Sequence, residues 1–95
     1  MNSLKLKADF NGLFSQLLCL SHSDTAEDEH GNTVNLAEGM QVTAYEENFE
    51  DGHRDDLLAS GKVERSPDWL QCRGSRWALR IDEHGVRYES DLAAR

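Results

Sequence analysis

The chain has 95 residues and a formal net charge of −8, room for one domain with one modest core and not for two. That acidity disfavours general binding to phosphate backbones or anionic lipid, and the longest apolar run, Leu17-Leu18-Cys19-Leu20, is far too short to span a bilayer. Leu, Ile, Val and Phe make up 20 of the 95 residues, just above the level of roughly 20% below which highly charged chains stay disordered, so patterning has to decide that the chain folds.

The dominant pattern is alternation with period two, which marks half-buried strands. Over residues 4–10, Leu4, Leu6, Ala8 and Phe10 fall on one face and Lys5, Lys7 and Asp9 on the other. Asn11-Gly12 follows as a turn. Residues 13–20 have helical spacing in Leu13/Leu17 and Phe14/Leu18, but eight residues suit a buried strand better than a helix. The reading is a strand, with room for one short helical turn near 13–18. Residues 21–33 form a long polar loop or hairpin tip. A strand over 39–46 turns Met40, Val42 and Ala44 to one side and Gln41, Thr43 and Tyr45 to the other. An acidic loop, 47–56, leads to a return strand over 57–65, with Leu58 and Val63 facing in and a bulge at Gly61.

Trp69–Arg73 and Arg76–Asp82 read as a hairpin around Gly74-Ser75. Trp77, Leu79 and Ile81 share one face, and Arg76, Ala78, Arg80 and Asp82 share the other. Glu83-His84-Gly85 supplies a three-residue hairpin loop, after which residues 86–89 return. The ends, near 1–3 and 93–95, are expected to fray. The expected fold is all-β over residues 1–95: a single small antiparallel barrel or meander of six to seven strands, SH3-like or OB-like.

The tetrapeptide Asp-Glu-His-Gly occurs twice, at 28–31 and 82–85. Carboxylates beside His30 and His84 are a conceivable metal set, but the same residues build tight turns, and turns are the expectation. Spacing excludes an EF-hand loop, because Ala26 and Ala37 would stand at its first and last ligand positions. Cys19 and His22 lack a second ligand pair for zinc. Cys19 and Cys72 are read as small packed residues. A cytoplasmic location is expected, and a disulfide is disfavoured there. Neither a nucleophile elbow nor a phosphate-cradling glycine motif is present, so the chain is read as non-enzymatic, without metal or cofactor.

Residues 42–63 resemble the opening of a signalling SH3 domain in a strand ending Ala44-Tyr45, an acidic loop, then Asp56-Leu57 and Gly61. The family's tyrosine-rich strand, tryptophan pair and proline-tyrosine segment are absent. The resemblance therefore implies a barrel shape without polyproline binding.

The one basic feature is an arginine set: Arg76 and Arg80 on one strand, Arg87 across the hairpin and Arg73 nearby, with Trp69 as an exposed aromatic and Trp77 as a core anchor. The expected role is a non-catalytic protein-interaction module binding an unidentified protein partner through a strand edge or the face holding Arg76, Arg80 and Arg87, the alternative for that face being internal neutralisation by Asp82, Glu64 and Glu89. Two alternatives are a small nucleic-acid-binding barrel that uses the same arginines, and an acidic mimic of nucleic acid built from segments 24–29 and 46–56. No membrane association is expected.

Overall fold

The computed structural model describes residues 4–67, 69 and 75–93. In chain order the elements are β1 (Leu4–Lys7), a 3-10 turn (Phe10–Gly12), β2 (Leu13–Phe14), β3 (Leu17–Ser21), β4 (Thr25–Glu27), β5 (Thr33–Asn35), β6 (Gln41–Glu46), β7 (Phe49–Glu50), β8 (His53–Arg54), β9 (Leu57–Arg65), β10 (Trp77–Ile81), β11 (Arg87–Tyr88) and the short helix α1 (Glu89–Ala93). The all-β class stands. No helix among the described residues is long and apolar enough to cross a membrane.

One seven-stranded sheet runs in the order β1-β6-β9-β10-β3-β2, with β11 also paired to β9. It is mixed rather than purely antiparallel, because β1 lies parallel to β6, with Leu4 opposite Val42 and Lys7 opposite Tyr45. The remaining pairs are antiparallel. Among the described residues no ladder joins β1 to β2 or β3, so the sheet does not close into a barrel. The β4–β5 hairpin lies beside the β1 edge instead. Asp28 bridges to Leu6, while Ala26 and Val34 pack onto the core and Leu36, just beyond β5, is buried in it.

Period-two alternation builds that core. Val42 and Ala44 from β6, Ala59 and Val63 from β9, and Trp77, Leu79 and Ile81 from β10 all face it, joined by Leu6, Leu18 and Leu20. Leu58 is buried as well, but it pairs with Tyr45 on the opposite face. The expectation that Leu58 and Val63 face the same way fails on parity, since β9 carries no register break over its nine residues.

Gly61 is accordingly not a bulge. It sits where β10 crosses closest: a Cβ there would overlap the Arg80 carbonyl oxygen and come within 2.7 Å of its carbon and 2.9 Å of Ile81 Cα. The register shift lies instead between Trp77 and Ala78, against β3.

Other local corrections have simple causes. The helical turn falls at residues 10–12, not 13–18, because the Asp9 side chain accepts from the Asn11 N–H (2.9 Å) and caps it. The chain reverses between β2 and β3 at Ser15-Gln16, with Ser15 at φ 59°. The 47–56 loop contains the β7–β8 hairpin, turned by Asp51 and Gly52 at φ 51° and 82°, the geometry of a type I′ turn. Both sides of β10 are taken, by β9 and β3; the strand expected over 69–73 falls almost wholly on residues 70–74, which lie outside the described ones. β11 pairs with β9 past the end of β10, on the same side of β9 and not with β10, so 82–88 carries the chain onward along one lane of the sheet rather than back in a hairpin. Glu89, expected in a strand, begins α1.

Candidate functional site

Residues paired across a sheet share a face, so the ladders define what the face opposite the core presents. Lys5 stands level with Thr43 and Ser60. Lys7 stands level with Tyr45, Leu58 and Arg87. Gln41, Lys62, Arg80 and Leu17 form a further row. Five of the chain's ten Lys and Arg side chains, Lys5, Lys7, Lys62, Arg80 and Arg87, thus gather on one face of a molecule with net charge −8. Thr43 Oγ1 and Ser60 Oγ are hydrogen-bonded at 2.7 Å between them. Glu64 stands on the same face, level with Ala78, and carboxylates of Glu29, Asp56 and Glu89 line a cleft at its β11 end. Arg80 is held by Glu64 through two bonds of 3.0 and 2.9 Å, which raises its pKa, and Lys5 lies 3.8 Å from Glu89. Lys7, Lys62 and Arg87 have no ion-pair partner among the described residues.

The expected arginine patch is therefore redrawn. Arg80 and Arg87 do share a face, but they are not cross-strand neighbours, because β11 pairs with β9. Arg76 leaves the set because its guanidinium turns to Asp24, 3.4 Å away. The same carboxylate accepts from Trp77 Nε1 at 3.0 Å. Arg73 lies outside the described residues, and Trp69 is 59% exposed. Lys5, Lys7 and Lys62 were missed in the sequence because β1 and β9 join this face only through long-range pairing.

At the β11 end of this face lies a polar cleft of about 350 Å³, lined by Lys5, Glu29, Tyr45, Arg54, Asp56 and Glu89. Asp56 is only 4% exposed and is gripped by Arg54 in a bidentate pair of 2.8 and 3.0 Å. That bond, with help from the Asn48 N–H, holds the Asp56 carboxyl below its ordinary value against the opposing effect of burial. Glu47 adds a 3.5 Å contact to Arg54. Tyr45 is 7% exposed, and burial, reinforced by Glu47 and Glu29, pushes its phenol up, so the hydroxyl stays protonated at physiological pH.

A depressed carboxylate contributes stability that is complete above its unfolded-state pKa and is lost as pH falls through the folded value. Asp56→Asn is expected to cost about 1–3 kcal/mol near pH 7. It should also remove part of the acid-side loss between roughly pH 4 and the lower folded value. Urea melts of both proteins across that range measure it; parallel acid limbs would contradict it.

The two Asp-Glu-His-Gly segments fold alike. Asp28 Oδ1 accepts from the N–H groups of His30 (2.9 Å) and Asn32 (2.8 Å), and Gly31 has φ 82°. Asp82 Oδ1 accepts from the His84 N–H at 3.0 Å, and Gly85 has φ 65°. Both are aspartate-capped turns. Cys19, expected as a reduced packed residue, is disulfide-bonded; the only other cysteine of the chain, Cys72, lies outside the described residues. No family model matches the chain, and neither the curated proteins nor the solved structures contain a significant match to it.

Proposed function

We propose that the protein is a non-catalytic interaction module that docks an acidic, extended segment of a protein partner on the cationic sheet face. The observation that carries this is charge segregation: Lys7, Lys62 and Arg87 stand on one face of a strongly acidic chain without ion pairs among the described residues. The face spans four adjacent strands, about 14 Å across at the usual strand spacing, the width of a short peptide. A nucleic acid is the less favoured ligand. Its affinity rests on many phosphate contacts, and beyond these few cations a phosphate polymer would meet a surface dominated by carboxylates.

An SH3-like or OB-like arrangement of strands stays part of this proposal, as an open sheet and not a closed barrel. It is supported by the β4–β5 hairpin, which packs on the core beside the β1 edge. The acidic-mimic reading draws less support, because Asp24 is engaged by Arg76 and Trp77 and is not free to imitate a phosphate. A disulfide at Cys19 fits an oxidising compartment better than the cytoplasmic setting expected from composition.

Fluorescence anisotropy with a labelled oligoglutamate peptide tests the proposal. Binding is expected at low ionic strength and should weaken as salt rises. The combined substitution Lys7→Glu, Lys62→Glu and Arg87→Glu is expected to weaken it about tenfold or more. No binding at low salt, undiminished binding by the variant, or tighter binding of a single-stranded oligonucleotide would overturn it.

A further inference from the structure

We propose that the cleft between β1, the Asp28–Asn32 turn, β8 and the start of α1 is a binding site for a small organic cation bearing a primary ammonium group. Three carboxylates, Glu29, Asp56 and Glu89, face two cations, Lys5 and Arg54, so the cleft carries an excess negative charge. Four of these five are already committed. Arg54 and Asp56 are locked together, and Lys5 leans on Glu89. Glu29 has no ion pair among the described residues.

The second observation is independent of that charge. Tyr45 is more than nine-tenths buried, lines the cleft, and its hydroxyl makes no hydrogen bond among the described residues. Yet no buried side-chain oxygen is left without a partner, so this hydroxyl has to meet the open volume of the cleft rather than closed protein. The ring is held in the protein while the hydroxyl end opens into the cleft with no protein partner among the described residues, placed to meet an occupant. An ammonium group fits both features, donating to the Glu29 carboxylate and to the Tyr45 oxygen. It can also lie near the tyrosine ring, where a cation is attracted. The phenol, protonated at neutral pH, remains free to donate to a second polar atom of the same ligand. The carboxylates do not converge as a metal-ligand group among the described residues, which favours a hydrogen-bonding organic cation over a bare ion. The cleft volume lies in the small-molecule range.

The site does not depend on the docking reading, since its ligand has the opposite charge and a different size. The test is a titration of isotope-labelled protein with putrescine, followed by NMR, with 1-butanol as the uncharged control. Saturable shifts are expected at Tyr45, Glu29, Arg54 and Glu89, and none from butanol. Glu29→Gln, on an exposed turn where folding is not at risk, and Tyr45→Phe, which keeps the ring, should each weaken binding about tenfold. The absence of saturable shifts at millimolar putrescine overturns the site. So do shifts elsewhere on the protein, equal shifts from butanol, or full affinity in both variants. None of these outcomes alters the oligoglutamate result.

Discussion

Gly61→Ala is expected to be the most damaging single-methyl change in the molecule, costing at least about 3 kcal/mol and leaving little folded protein. The added Cβ would strike the backbone of β10 at Arg80 and Ile81, not the movable end of a side chain. Relief requires β9 and β10 to part at the centre of the sheet, where Gly61 pairs with both Val42 and Ile81. Gly52→Ala is the informative comparison. Its Cβ meets nothing within 4 Å and is opposed only by a φ of 82°, so its cost should be about 1–2 kcal/mol. Denaturant melts of both variants decide the matter, and equal, small losses would contradict the close crossing.

Trp77→Ala is expected to cost about 3–5 kcal/mol. The indole is only 5% exposed within the main core, and three kinds of interaction meet on it. Its ring fills space beside Leu79 and Ile81, its Nε1 donates to Asp24, and the Arg65 guanidinium lies 4.6 Å from the ring centroid. Trp77→Phe keeps most of the packing and the ring face, and so should cost about 1–3 kcal/mol, with the lost hydrogen bond and the reduced volume as the main terms. A Trp77→Ala loss below about 1 kcal/mol would show that the residue is not an anchor of this core.

These two positions show what the sequence could and could not reveal. Trp77, Leu79 and Ile81 announce their shared interior by alternation alone, because period two is a property of the local backbone. The repeated Asp-Glu-His-Gly turns are legible for the same reason: the capping carboxylate, its amide partners and the left-handed glycine all lie within a few residues. Gly61 is legible as unusual but not as a close crossing, since the atoms that forbid a side chain belong to residues 80 and 81. Ser15 carries no turn signature, yet it reverses the chain at positive φ.

The site suffers most from this limit. Counting along the strand aligns Arg76 with Arg80, but its guanidinium is drawn to Asp24, a distant residue in the chain. Arg87 was placed beside Arg80 on the assumption that a short loop makes a hairpin, whereas β11 finds its partner in β9. Lys5, Lys7 and Lys62 reach the cationic face through a parallel pairing and a nine-residue central strand, neither of which leaves a local mark. The cleft draws Glu29, Tyr45, Asp56 and Glu89 from across the chain, so no window of sequence contains it.

Chemical-shift mapping of an oligoglutamate peptide on the labelled protein tests the central claim most directly. The cationic sheet face predicts perturbations centred on Lys7, Thr43, Ser60, Lys62 and Arg87 that fade as salt is added. Perturbations confined to the β4–β5 hairpin, or a map with no focus on those residues, would contradict it.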